Sequence, residues 1–513
     1  METQVLIIGG GATGTGIARD LALRGVQCIL VEKGDINAGA SGANHGLLHS
    51  GARYVSTDPE VAKECREEGK RLKVLAPHCI ENTGGLFVAV EGDDEKYVAD
   101  FPHLCSKCGI QVRTLDVKEA RELEPILSRK LIAAYVVEDA TIDPFKLSLE
   151  NISQAKELGT TLFLHTKVVG FKISGGQIQT TSLQNTQTGE EIVIKADQVV
   201  NATGAWANEV AALAGSSIHM LYSQGSILIT DSRLTKHVVN RLRPPSDGDI
   251  LAPGGTVSIL GTTSVRIESP DDTRPTFDEV DVIVNEGSTM IPVLENTRYI
   301  RAYAGVRALI TDQSENDDRS VSRGFTLLDH ERDGLNNFIT ITGGKLTTYR
   351  LMAEKTSDLV CQRLGNQNPC LTRTQPLPST QAGKWTEPGF GAKQWLKQDD
   401  PEDLLLCECQ MLPKSVIDSV LEADGEQNGV PSLMAIGLRS RIGKGPCQGT
   451  FCGARVIAHM YDKGRLHSDQ GLTSLREFHR KRWMGERPVL WNGQLIQAEL
   501  KEALYCGFLG LEL

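Results

Sequence analysis

Three groups of residues in this 513-residue chain have types and spacing suited to chemistry. The first is Gly9-Gly10-Gly11-Ala12-Thr13-Gly14. A G-x-G-x-x-G turn bends tightly, lets a pyrophosphate approach the backbone, and lets the next helix pack close to the preceding strand. Glu32 lies 18 residues after Gly14. A carboxylate there accepts hydrogen bonds from a ribose 2′-hydroxyl, which argues against a 2′-phosphate. The motif alone does not separate a nicotinamide from a flavin dinucleotide. Two later turns favour the flavin. Ala202-Thr203-Gly204 closes an apolar run and offers a second close backbone approach. Thr342-Gly343-Gly344 precedes the helical stretch 346–353. A helix N-terminus there stabilises negative charge on a reduced isoalloxazine.

The second group is cationic. The segment His45-Gly46-Leu47-Leu48-His49-Ser50-Gly51-Ala52-Arg53-Tyr54 suits a loop over a flavin better than a core. Arg307 follows an apolar run, Arg323 sits in VSRGF, and Lys345 follows Gly343-Gly344. Four cations from separate parts of the chain make a convergent clamp for a phosphate dianion, and guanidinium suits it bidentately. A carboxylate substrate needs only one such arginine. An imidazole with a near-neutral pKa suits a general base. His49 is the first candidate and His45 the second.

The third group is Cys407-x-Cys409 and, 37 residues on, Cys447-x4-Cys452. Four thiolates suit zinc or a [2Fe–2S] cluster equally by softness. Structural zinc prefers C-x2-C knuckles, whereas C-x-C places two sulfurs on an extended loop. A flavin donor in the same chain makes a one-electron acceptor useful, so the cluster is the preferred reading over zinc or a metal-free relic. The other eight cysteines are scattered, and Cys105-x-x-Cys108 has no second pair at zinc-site spacing.

These residues need elements to place them. Residues 5–8, 12–23 and 26–32 read as strand, helix and strand, a βαβ unit around the glycine turn. Residues 198–201 and 338–342 read as strands ending in small-residue turns. Residues 224–231, 256–261 and 301–306 read as strands of a separate sheet. The Pro, Thr, Ser and Gly content of 370–391 reads as a linker. Helices are expected at 413–422 and 430–437, between the cysteine pairs. The tail carries an apolar helical stripe, Leu495, Ile496, Leu500, Ala503 and Leu504, continued by Phe508, Leu509, Leu511 and Leu513. Two or three domains suit this length. With 54 Lys and Arg against 65 Asp and Glu, the net charge is −11. No basic run supplies a nucleic-acid footprint. No apolar run approaches the ~18 residues of a membrane span, and the N-terminus lacks the pattern of a secretory signal, so a cytoplasmic protein is expected.

GGGATGTGIARDLALRG, VEKGD, GASGANHGLLHSGARY, VVNATGAW, RAYAGVRAL, VSRGF and TGGKLTTYRLMAE follow, in order, the FAD-dependent glycerol-3-phosphate dehydrogenase family over residues 1–365. The cysteine segment extends the resemblance to the catalytic (A) subunits of the family's anaerobic branch. It also resembles a bacterioferritin-associated-ferredoxin-like [2Fe–2S] domain, although C-x4-C is longer than that domain's usual second pair.

The resemblance implies an α/β fold with an α+β cap. A Rossmann-like FAD-binding domain (about 1–90, 130–215 and 325–369) is interleaved with a β-sheet substrate cap (about 91–129 and 216–324). A linker, 370–403, a small helical iron–sulfur domain, 404–460, and a helical tail, 461–513, follow. It implies oxidation of sn-glycerol 3-phosphate to dihydroxyacetone phosphate, with hydride passing to flavin N5. FAD is expected on Gly9, Gly11, Ala12, Thr13, Gly14, Glu32, Lys33, Ser41, Gly42, Asn44, His45, Gly46, Leu48, Val168, Ala202, Thr203, Gly204, Gly343, Gly344, Leu346 and Thr347. Substrate is expected on Arg53, Tyr54, Arg307, Arg323 and Lys345, and catalysis on His49, Arg307 and Lys345. Single-subunit members carry a histidine after a Gly-Ser in the cap. Here Ile227 follows Gly225-Ser226, which leaves the base open among His49, His45, Lys345 and Arg307. The expected partners are a membrane-anchoring iron–sulfur subunit together with a second flavin-type subunit. They would hold the chain peripherally on the cytoplasmic face of the inner membrane and pass electrons to quinone. The rivals are a related flavoprotein oxidising an amino, imino or 2-hydroxy acid, and a non-catalytic flavin or iron–sulfur scaffold.

Overall fold

The structure, a computed structural model, describes residues 1–310, 322–423 and 430–513. Residues 311–321 of the expected cap and 424–429 of the cysteine segment lie outside the described residues.

Strand β1 (Glu2–Ile8), helix α1 (Ala12–Leu23) and strand β2 (Cys28–Val31) form the expected βαβ unit. Its strands are apolar on both faces because both are covered. Val5 and Ile7 pack with Ile17 and Leu21 of α1 and with Met352 and Val360 of helix Tyr349–Leu364. Leu6 and Ile8 face the other way, onto Ala207 and Val210. Strand Glu191–Asn201 pairs in parallel with β1, placing Ile8 opposite Asn201. Strand β2 lies on the other side, with Ile8 opposite Val31. Strand Phe338–Gly343 pairs in parallel beyond Glu191–Asn201. Four strands therefore point the same way, and their C-terminal ends share one edge. The turns leaving that edge are Gly9–Gly11, Glu32–Gly34, Ala202–Gly204 and Gly343-Gly344. Parallel register thus gathers motifs that lie hundreds of residues apart.

Among the described residues the cap is a second sheet of nine strands. Strand Met220–Thr230 runs antiparallel to Tyr299–Ile310 along its length. Leu228, Val239, Leu251 and Leu260 cover Val280, Ile283 and Met290 of helix Phe277–Met290. The cap sheet also takes in Gly85–Val90 and Leu131–Val137. Sequence analysis assigns those stretches to the flavin-binding part. They join the cap because Gly85–Val90 pairs in parallel with Val238–Arg241.

Residues 370–403 are a packed strap rather than a free linker. Thr372 Oγ1 donates to Asp20 Oδ1 at 2.6 Å, Arg373 Nε donates to Glu354 Oε1 at 2.6 Å, and Trp385 joins the C-terminal core. That core holds Cys407, Ile417, Ile436, Val456, Phe478, Tyr505 and Leu511. A buried bidentate pair, Arg439 on Asp35 at 2.6 and 2.7 Å, docks it on the loop after β2. The tail stripe splits in two. Tyr505 is buried and donates to Thr450 O at 2.6 Å. Leu495, Ile496, Leu500 and Phe508 remain exposed, Phe508 by 84%. Among the described residues no helix is long and apolar enough to cross a membrane.

Candidate active site and cysteine centre

One cavity of about 780 Å³ opens at the shared strand edge. Gly9, Gly11, Ala12, Thr13, Glu32, Lys33, Ser41, Asn44, His45, Val168, Ala202, Thr203, Gly204, Gly343, Gly344 and Leu346 all line it. The glycines divide the work. Gly9 has φ +111°, and a Cβ there would lie 2.6 Å from Ala202 O. Only Ser41 lies within 4 Å of a Cβ built on Gly11, so that backbone stays approachable from the cavity. A Cβ on Gly14 would overlap Gly9 O, making Gly14 the packing glycine. Glu32 accepts from Gly10 N at 2.7 Å and Gly34 N at 2.8 Å, which fixes its carboxylate at the end of β2.

Gly14, Gly42, Gly46, Leu48 and Thr347 do not line the cavity. Leu48 is buried in a core cluster, and Thr347 accepts His49 N at 3.1 Å from behind. Cβ atoms on Gly42 and Gly46 would overlap Asn37 O and approach Ile142 O. These residues shape the wall rather than touch its contents. The expected helix at 346–353 is a 3-10 turn, Leu346–Thr348, leading into Tyr349–Leu364.

His49, Arg53, Tyr54, Arg307, Arg323 and Lys345 line the same cavity. The cap holds Arg307, whose guanidinium donates to Thr263 O at 3.0 Å and to Thr262 Oγ1 while crossing Gly225. A side chain at Gly225 would overlap it. Arg53 Nη2 donates to the buried Asp249 at 3.1 Å, whereas its Nη1 is buried without a hydrogen-bond partner. Lys345 Nζ donates to Arg323 O at 2.7 Å and sits 4.3 Å from the Tyr54 ring centroid. Burial brings the Lys345 ammonium down to about 8. Burial, then His45, Lys345 and Arg53, holds His49 well below its ordinary value, and burial brings His45 to about 3. Both imidazoles are therefore neutral at physiological pH. His49 Nε2 lies 3.4 Å from Tyr54 Oη.

Sequence reasoning singled out neither Trp206 nor Asp271, which also line the cavity. Trp206 Nε1 donates to Asp271 at 2.8 Å, and Lys33 Nζ lies 3.8 Å from the Trp206 ring centroid. The pair ties the cap to the flavin-binding part. Trp206 ends the VVNATGAW stretch; a tryptophan directly after a small-residue turn was the available signal.

Residues 4–356 match the family model described as FAD dependent oxidoreductase. The anaerobic glycerol-3-phosphate dehydrogenase of Escherichia coli (strain K12) has an A subunit that is 42% identical over 100% of this chain and 97% of that protein. The chain belongs to the glycerol-3-phosphate dehydrogenase family of FAD-dependent oxidoreductases. The A1 subunit of the anaerobic glycerol-3-phosphate dehydrogenase of Haloferax volcanii is 38% identical over 98% of this chain and 90% of that protein. The crystal structure of glycerol-3-phosphate dehydrogenase from Bacillus halodurans, complexed with FAD, shares the fold with a TM-score of 0.63. It covers 96% of each chain at 23% identity.

The family's aerobic relative from Bacillus subtilis covers only 74% of this chain. The cysteine segment lies beyond residues 4–356, the part matched by the family model. Its sulfurs form a string: Cys407 Sγ to Cys409 Sγ is 3.7 Å and Cys409 Sγ to Cys447 Sγ is 3.7 Å. Among the described residues no three metal-ligating side chains converge as a single ion requires. Backbone N–H groups of Gln410, Cys447, Gly449 and Phe451 donate to the sulfurs. The neighbouring Cys409 sulfur, then burial, pushes the Cys447 thiol far up.

Proposed function

We propose that this chain oxidises sn-glycerol 3-phosphate to dihydroxyacetone phosphate and passes the electrons through a [2Fe–2S] cluster to partner subunits and quinone. The convergence of Arg53, Arg307, Arg323 and Lys345 on the dinucleotide cavity carries the reading. Bound FAD supplies a hydride acceptor at N5. The chain's own residues do the rest. Arg307, held by Thr263 O and Thr262 Oγ1 of the cap, and Arg53, through Nη1, bind the phosphate. Lys345 and Arg323 complete the charge. His49, kept neutral by burial and by the cations around it, takes the C2 hydroxyl proton. The incoming dianion offsets the cations that depress His49, so the base strengthens when substrate arrives. An amino- or 2-hydroxy-acid substrate would leave most of this charge uncompensated.

Cys407, Cys409, Cys447 and Cys452 would hold the cluster. Crowded sulfurs that resist ionising alone are suited to a metal that displaces their protons. The N–H donors to the sulfurs, and the lack among the described residues of three ligating side chains converging on one point, favour two irons over one tetrahedral zinc. The tail rests on the cysteine loop through Tyr505 and through Gln497, whose Nε2 donates to Thr450 Oγ1 at 3.1 Å. Its exposed side, Ile496, Leu500 and Phe508, is the face we assign to the electron-accepting partner.

The test is a spectrum of the anaerobic protein before and after glycerol 3-phosphate. Bleaching of the flavin band is expected. A flavin that stays oxidised with this substrate overturns the assignment.

A further inference from the structure

Four cations cluster between the cavity and the cysteine sulfurs, and substrate chemistry uses none of them. Arg441 and Lys444 lie on the loop that leads to Cys447, Arg482 on helix Gln470–Glu486, and Arg301 on cap strand Tyr299–Ile310. Arg441 Nε donates to Gln410, next to Cys409, and Arg482 Nη1 donates to Gln448, next to Cys447, at 3.1 Å. Gln448 Nε2 in turn donates to Gly445 O at 2.9 Å, and a Cβ on Gly445 would overlap Cys409 Sγ. Among the described residues, the hydrogen bonds of Arg441 and Arg482 go to amides, a carbonyl and a hydroxyl, not to carboxylates. Arg301 Nε is buried without a hydrogen-bond partner. Two carboxylates lie near: Glu486 is bonded to the buried Lys501, and Asp143, which acts on Arg441 and Lys444, accepts from Phe145 N and Lys146 N, so two carboxylates, one of them committed to a fifth cation, face four cations. Burial lowers all four groups, bringing Lys444 to about 7.

Desolvated cations in excess of their counter-charges are costly. A four-thiolate [2Fe–2S] cluster is net dianionic when oxidised and trianionic after one electron. That charge would meet Arg441, bonded to Gln410 next to Cys409, and Arg482, bonded to Gln448 next to Cys447. The cluster of cations also reaches the flavin side. Lys444 Nζ sits 4.7 Å from the Phe145 ring centroid, and that ring packs on Gly42, between cavity-lining Ser41 and Ala43. Tyr303, 5.6 Å from Arg301, donates to Asn44 O at 2.7 Å.

We propose that Arg301, Arg441, Lys444 and Arg482 form a cationic cradle that favours the reduced form of the cluster and so directs electrons from the flavin to it. This rests on the [2Fe–2S] reading above. The step is a single-electron transfer: one ferric ion becomes ferrous, the donor is the flavin reduced by substrate, and no bond is made or broken. These are positioning residues; none touches substrate.

The test is an electron-paramagnetic-resonance redox titration of the full-length holoprotein carrying Lys444→Met or Arg482→Met. Each lost charge should disfavour cluster reduction roughly tenfold, ~59 mV for a one-electron couple. The flavin potential and dye-linked oxidation should stay at wild-type values, and Lys444→Arg should restore the cluster potential. Arg441→Gln carries the same test if either Met variant loses its cluster. An intact cluster with an unmoved potential in these variants overturns the cradle alone. Wild-type protein without iron removes both the cradle and the cluster reading.

Discussion

Arg307→Ala isolates the phosphate clamp. Its guanidinium is held by Thr263 O at 3.0 Å and by Thr262 Oγ1, so the fork is fixed before substrate arrives. A charged hydrogen bond to phosphate contributes ~2–3 kcal/mol. If the contact is equal in ground and transition states, its loss appears in KM with kcat retained. At ~1.4 kcal/mol per tenfold, KM should rise roughly 30- to 150-fold. Flavin content should not change, because Arg307 stands on the cap strand and not on the dinucleotide turns. A second perturbation reaches the same group without removing charge. Gly225→Ala would overlap the Arg307 guanidinium and push it off its acceptors. KM should rise in that variant too, by less. Steady-state kinetics with a dye acceptor measure both. A KM within twofold of wild type for Arg307→Ala refutes the clamp assignment.

Other expectations follow from the same geometry. Lys345, lowered by burial to about 8, loses its charge as pH rises through that value, so KM should climb above pH ~8 and the climb should vanish in Lys345→Met. His49 is depressed well below its ordinary value, so the acid limb of kcat/KM should be that of the substrate phosphate, near ~6, and should persist in His49→Gln, which should lower kcat rather than raise KM. Replacing any of Cys407, Cys409, Cys447 or Cys452 by serine should abolish the iron–sulfur spectrum while dye-linked oxidation survives; stoichiometric zinc in anaerobic wild-type protein would contradict this. Asp35→Ala strands the buried Arg439 and should cost ~3–5 kcal/mol in denaturant unfolding, whereas a loss below 1 kcal/mol would mean the pair does not dock the C-terminal domain.

Much of the site was legible because its signals are local. The glycines of Gly9–Gly14, the carboxylate ending β2, and Gly343-Gly344 each mark a tight turn at a strand end, and a parallel register then brings them to one edge. The membership of Gly85–Val90 in the cap was not legible. Its apolar run suits any buried strand, and only the long-range pairing with Val238–Arg241 decides its sheet. The strap 370–403 was misread for a related reason. Pro and Gly punctuate a chain whether it is free or packed, and composition does not show Trp385 finding a core. Trp206 and Asp271 meet across 65 residues, beyond the reach of any spacing rule.

The apolar stripe of the tail admits two roles, packing on this chain or docking a partner. Both faces exist on one stretch, helix Gly493–Glu502 and the helical turn Ala503–Phe508: Ala498 and Tyr505 are buried, Tyr505 in the C-terminal core, and Ile496 and Phe508 face outward. Deleting 495–513 would remove Tyr505 and Leu511 from the core and expose Phe478 beneath them, so loss of assembly would report unfolding. Point changes on the outer face separate the two. Ile496 is 69% and Phe508 84% exposed, so glutamate at both should change stability by less than ~0.5 kcal/mol each. The double variant should keep FAD, the cluster and dye-linked activity. It should lose co-purification with the electron-accepting partner proposed above, because charge placed in an apolar contact is desolvated without a counter-charge. Retained co-purification moves the docking face elsewhere.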